Sequence, residues 1–204
     1  MAKIGSLYLP FGGSALDPAL QATSTAPTSA TEDAGNLVIE SLAGNVKAGV
    51  ESVATFDWTE SSITVHVPVA SGTSPSAMYI FAATSTLLGP CINYQGSRPS
   101  AGAINASTGS YGNSALGTAG RPWARIAHAA GTLTWSQSAD GVTWSVFHSV
   151  AASGFGSLAA VKLRIMTENA SVLTFRIAQI GLPPAGPSTA STDYYRRQLG
   201  GLTE

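Results

Sequence analysis

Between Thr132 and Phe147 the chain reads TLTWSQSADGVTWSVF, and no other stretch constrains the fold as tightly. Leu133, Trp135 and Gln137 alternate with hydroxyl residues, Asp140-Gly141 supplies the positive φ of a tight turn, and Val142, Trp144 and Val146 lead back. A period of two on both sides of a turn is a hairpin with one buried face and one wet face. The same alternation recurs in ITVHVPVA, where Ile63, Val65, Val67 and Val69 take one face and Thr64, His66 and Pro68 the other. Pro68 cannot donate to a ladder, which puts its N–H side at an edge, a bulge or in solvent. Residues 37–42, 53–58, 78–84, 124–129, 161–166 and 172–180 are further strand candidates. About seven to eleven such runs with almost no helical spacing predict an all-β fold, two antiparallel sheets stacked as a sandwich.

Composition agrees with this reading. Charged residues make up 10% of the 204 residues, against about 25% in ordinary soluble domains. The 26 Ser and 20 Thr take over as the solubilising groups, whereas helical surfaces rely on Lys, Glu and Arg. With 22 Gly and 11 Pro, turns are plentiful and long helices are disfavoured. A formal charge of −1 offers no electrostatic basis for gripping a polyphosphate, so no nucleic-acid partner is expected. Cys91 stands alone, which excludes a disulfide framework and a multi-cysteine zinc site and makes it a small buried apolar residue. Residues 1–13 are too short and too interrupted by Gly5 and Pro10 for a signal peptide, and no window approaches the ~20 apolar residues that span a bilayer. Synthesis in a cytoplasm without membrane insertion is the expectation.

Both ends read as arms on a sandwich of residues 36–181. Residues 21–35, QATSTAPTSATEDAG, have linker composition, and 182–192, LPPAGPSTAST, lead into a tail. Arms of this kind fray unless something ties them down. Ile4, Leu7, Tyr8, Leu9 and Phe11 form an apolar strip too short for its own core, and Tyr194, Tyr195, Arg196 and Arg197 are residue types that dominate interface hot spots. Residues 1–35 and 182–204 are therefore expected to dock on other chains or on copies of this one.

The run Trp123-Ala-Arg125-Ile126, then Gly131-Thr-Leu-Thr-Trp135-Ser, then Ser138-Ala-Asp140-Gly141-Val-Thr-Trp144 resembles a hairpin of the concanavalin A-like lectin and laminin-G-like jelly rolls. In that family a strand similar to VKLRI at 161–165 precedes a last strand similar to LTFRI at 173–177, which closes the sandwich beside the first. The resemblance covers roughly residues 36–181 and implies a jelly-roll fold more than a task.

Hydrolytic members of the fold carry clustered Glu and Asp along one strand, in an E-x-D-x-x-E pattern that is absent here. Two carboxyls about 5 to 9.5 Å apart are what glycoside hydrolysis needs. The closest clusters are Glu51, Asp57 and Glu60, and Glu32 with Asp33; Glu32 and Asp33 point oppositely on an extended chain, as do Asp57 and Glu60, three residues apart. No catalytic residue is expected. His66, His128 and His148 lack ligand spacing, Asn105, Asn113 and Asn169 lack accompanying acids, and G-x-S-x-G does not occur, so no metal and no cofactor is expected either. A saccharide site needs less: an aromatic platform and a few polar donors. Residues 89–121 supply Asn93, Tyr94, Gln95, Arg98, Asn105, Tyr111, Asn113 and Arg121 among many glycines. From this stretch and its flank, Tyr94, Arg98, Tyr111 and Trp123 are the candidate glycan contacts. The competing reading of the segment is a glycine-rich crossover packed on a neighbouring subunit. Trp135 and Trp144 are expected to pack in the core or on a sheet face.

A sparsely charged, hydroxyl-rich sandwich with docking ends is similar in style to virion components of tailed bacteriophages. The expectation is a non-enzymatic minor tail protein, with partners among other virion proteins, copies of itself and host cell-surface carbohydrate. A capsid decoration protein is the alternative, followed by a polysaccharide depolymerase acting through Glu51 or Asp57, or a free lectin.

Overall fold

The computed structural model describes residues 1–44, 46–68, 77–83, 89–95, 98–104, 110–111, 121–168 and 172–182. The strands are, in chain order, β1 (Leu20–Ala22), β2 (Ser29–Asp33), β3 (Asn36–Glu40), β4 (Ala48–Ser52) and β5 (Ser61–His66). Then come β6 (Ala77–Ala83), β7 (Gly89–Gln95), β8 (Arg98–Ile104), β9 (Ser110–Tyr111) and β10 (Trp123–Ala129). The remaining strands are β11 (Thr132–Ser138), β12 (Ser145–Ala151), β13 (Lys162–Glu168), β14 (Thr174–Ile177) and β15 (Gln179–Ile180). Among the described residues they form a seven-stranded sheet ordered β1-β4-β13-β6-β7-β8-β9, a five-stranded sheet β12-β11-β10-β5-β15, and a three-stranded sheet β14-β3-β2. Every pairing is antiparallel, as the alternation predicts.

The two larger sheets bury their alternating apolar faces in one core. Ile63, Val65, Ala124, Ile126, Leu133 and Trp135 come from the five-stranded sheet, and Val50, Ile92, Tyr94, Leu163 and Ile165 from the seven-stranded one. Fully buried Trp135 also bridges the layers, because its indole Nε1–H donates to the Cys91 carbonyl oxygen at 2.7 Å. Cys91 is buried as expected, and burial pushes its thiol up to about 12, which makes it inert.

The hairpin forms as β11 and β12, with a bulge between Trp135 and Ser136, but the connection is longer than a tight turn: β12 begins at Ser145, so Val142 and Trp144 lie in the loop rather than on the returning strand. Other expectations need correction. Residues 53–58 do not form a strand; Phe56 and Asp57 make isolated bridges to Val161 and Lys3. Residues 172–180 are two strands, because β14 pairs with β3 while β15 pairs with β5, so the chain changes sheets at Ala178. The segment 89–121 contains β7, β8 and β9. Its small residues conceal strands that are held by ladder pairing with their neighbours rather than marked by bulky alternation.

Residues 1–35 are not a detached arm. Ile4, Leu9, Phe11 and Leu20 lie in the chain's own core, β2 pairs with β3, and Leu9 exchanges backbone hydrogen bonds with Ile180 at 2.9 and 3.1 Å. Leu7 and Tyr8 are half-buried on the same body. A strip too short for its own core has closed the edge of the sandwich instead. The expected contacts Tyr194, Tyr195, Arg196 and Arg197 lie outside the described residues.

Gly181 locks this closure. Its φ of 78° is left-handed, its N–H donates to the Thr64 carbonyl at 2.7 Å, and a Cβ there would run into the Leu7 carbonyl. We expect Gly181→Ala to cost about 2–4 kcal/mol, summing left-handed strain and backbone overlap. Urea melting of the two proteins measures it, and a loss under 0.5 kcal/mol, roughly surface-substitution size, would show that the N-terminal segment does not dock as described.

Candidate functional site

The two broad faces that point away from the core are the surfaces on which a sandwich can carry a site. On the larger sheet, Gln21, Glu51, Arg164 and Phe81 occupy successive positions of one cross-strand row. Glu51 is buried and accepts from Lys162 Nζ at 2.7 Å, from Arg164 Nε at 2.8 Å and from Gln21 Nε2 at 3.1 Å. Burial by itself would raise its pKa, but these donors outweigh burial and hold the carboxyl below its usual value.

The other carboxylate on the described strands of this sheet is Glu168, which pairs with Lys47 at 3.7 Å. Glu51 sits opposite Arg164, so Glu168 is four residues further along β13, ~13 Å at strand rise. Glu51 leans towards Lys162, in the opposite direction from Glu168. The pair is therefore wider than the ~5–9.5 Å that acid and base or nucleophile require.

The remaining described acids are also engaged. Asp57 is held well below the usual carboxylate range by Lys3 Nζ at 2.7 Å and by Thr59. Glu32 accepts from the Gly13 N–H, Glu60 from the Ala130 N–H, Glu40 from Ser29, Asp17 from the Ala19 N–H, and Asp33 pairs with Arg176. Among the described residues no group of three His, Cys, Asp or Glu could hold a metal ion.

The four expected glycan contacts fall on strands of two different sheets. Tyr94 points into the core, 2% exposed, and among the described residues its hydroxyl has no hydrogen-bond partner. A residue so placed cannot touch a saccharide from outside, which corrects the expectation. Arg98 pairs with Gln95 and Tyr111 with Gly102 in the ladder of the larger sheet, whereas Trp123 belongs to the smaller one. Asn93 is buried, and Asn105 and Asn113 lie outside the described residues.

Trp123 is half-buried on the outer face of the five-stranded sheet, and its ring is already engaged. His66, its cross-strand partner, stacks on one side at 4.4 Å with an interplanar angle of 10°. Gly141 also lies against the indole: a Cβ there would stand 3.2 and 3.3 Å from the two carbons of the fused bond. His66 and Gly141 thus already take up part of the surface that Trp123 would offer a sugar. The turn responsible is held by Asp140, whose Oδ1 accepts from the Val142 and Thr143 N–H groups at 2.8 Å each and from Ser138 Oγ at 2.7 Å. The same turn delivers Trp144 to the sheet face, where the Arg125 guanidinium lies 4.3 Å from its ring centre. In the sequence Arg125 reads as part of a fold motif, the W-x-R-I run, and nothing in its spacing marks it as a site residue.

This architecture has known counterparts. Similar solved structures include a Bacillus licheniformis β-glucanase (TM-score 0.61, 11% identity, covering 85% of this chain and 95% of that one). The Crh5 transglycosylase in its apo form gives 0.64 at 12% identity over 91% of this chain and 88% of its own. A non-specific endo-β-1,3(4)-glucanase from family GH16 gives 0.61 at 11% identity over 86% and 88%. The fold is the concanavalin A-like jelly roll. At these identities the likeness concerns the fold alone. No protein-family model matches the chain, and no curated protein matches it by sequence.

The Glu51 cluster makes a pH prediction. A carboxyl with a lowered folded pKa binds fewer protons in the native state than in the unfolded chain. Its contribution is fully present above the unfolded value of about 4.5 and is lost as pH falls through the folded value. Glu51→Gln should be less stable than the parent at pH 7, with the gap closing as pH falls below the ordinary value of 4.5. Paired melts across this range test it, and a gap that persists or widens in acid would contradict the assignment.

Proposed function

We propose that the chain is a non-catalytic concanavalin A-like module that binds saccharide as part of a tailed-bacteriophage virion, in the tail. The observation that carries the non-catalytic part is the state of the acids on the larger sheet. Glu51 is committed to two cations and stands ~13 Å along the ladder from Glu168, so neither can serve as the partner of the other. The saccharide part is supported by the architecture shared with a β-glucanase, a transglycosylase and an endo-glucanase. Binding requires only part of what those enzymes do, since a scaffold can keep recognition without its acid and base.

The virion part is supported by composition. With 10% charged residues and 46 hydroxyl side chains from 26 Ser and 20 Thr, the surface suits assembly through hydrogen bonds and close packing more than through salt bridges. Anchoring falls to the end carrying Tyr194, Tyr195, Arg196 and Arg197, because Leu9 and Phe11 are spent on the chain's own core.

Two measurements test the proposal. Pull-down with bacterial wall glycans and β-glucans should retain the protein, while assay of reducing ends should show no release. Turnover that disappears in Glu51→Gln would make it a hydrolase. Immunogold labelling of particles should mark tails, and label confined to capsids would make it a decoration protein.

A further inference from the structure

Arg125 is the only Lys, Arg, Asp or Glu within the strands of the five-stranded sheet. It is half-buried, and among the described residues no acceptor lies against its guanidinium; Nε is buried without a partner. The nearby turn acid, Asp140, is occupied by Ser138 and the turn amides. Directly across the ladder stands Ser136, fully buried, whose Oγ also lacks a partner. Two unmet polar groups thus share one position of the outer face, and native structures seldom leave such groups unmatched.

Trp144 shapes this position. Stacking on an indole fixes the guanidinium plane while leaving its in-plane N–H groups open, which is the geometry that takes a carboxylate bidentately. The next row of the same face, Ser62, Ala127 and Thr134, has only small side chains, so the floor beside the guanidinium is flat. Desolvation without a counter-charge lowers the Arg125 pKa, and an anion in contact would offset that cost. A neutral sugar could use the hydroxyls but would leave the cation uncompensated.

We propose that Arg125, seated on Trp144 beside Ser136, binds the carboxylate of an acidic sugar, making this outer face the saccharide contact of the module and uronate-bearing glycan its ligand. This rests on the saccharide-binding reading above and places the contact on the smaller sheet, away from the Glu51 row.

Titration calorimetry with tryptophan fluorescence tests it, using hexagalacturonate, hexamannuronate, fully methyl-esterified hexagalacturonate and sodium sulfate. An acidic oligomer should bind at least about tenfold more tightly than the ester, matching the loss of a charge-assisted hydrogen bond. Arg125→Gln should lose at least about tenfold for the acid and leave the ester unchanged, and Arg125→Lys should fall between, having charge without the fork. Melting curves of both variants verify that they fold. Equal binding of acid and ester would overturn the acidic-sugar site while sparing the saccharide reading. Sulfate binding as tightly as the oligomers would reduce the site to a simple anion contact and overturn the proposal. No binding of any oligosaccharide would overturn both.

Discussion

Trp135 is the side chain on which both layers depend. It fills the space between the sheets, and its indole donates to the Cys91 carbonyl on the opposite layer, so packing and a directional bond act at one point. Burial of a tryptophan alone removes about 150–250 Å² from water, worth about 4–6 kcal/mol. The bond adds orientation: it sets where β11 lies over β7. With that relation set, the outer face of the five-stranded sheet is presented as a flat surface, and the turn after β11 begins at a defined place.

That turn connects local sequence to surface chemistry. Asp140 gathers Ser138 and two backbone amides, Gly141 accepts a φ of 74°, and the turn closes with Gly141 against Trp123 and Trp144 over Arg125. Planar groups are thereby stacked along a face that otherwise bears small hydroxyl and methyl groups. In a chain with so little charge, the placement of each ion carries weight. The acids are consumed by Lys3, Lys47, Lys162, Arg164, Arg176 and backbone amides, while Arg125 is matched only by an aromatic ring.

Much of the fold is legible in the sequence. Alternation at Ile63 and Val65 and the Asp140-Gly141 hairpin foretold β5, β11 and β12, and the W-x-R-I pattern foretold β10. β7 to β9 were not legible, because Gly89, Pro90, Pro99, Ala101 and Gly102 carry little β signal and are ordered by neighbours distant in sequence. The break at Ala178 was hidden for a similar reason: one continuous alternating run satisfies either sheet, and only the positions of β3 and β5 decide where it divides. Of the candidate glycan residues, Tyr94 was misread because an aromatic in a glycine-rich segment looks exposed until a core forms around it.

By itself the sequence determined the class of fold, the main hairpin and the lack of an acid-rich strand, since periodicity, turn chemistry and spacing are local properties. The tertiary structure alone decided that residues 1–35 close the sandwich, that Glu51 is neutralised by a strand 111 residues away, and that Trp123 stacks on His66. Each of these depends on which distant side chains meet, and that is set by how two sheets stack rather than by the order of residues along either one.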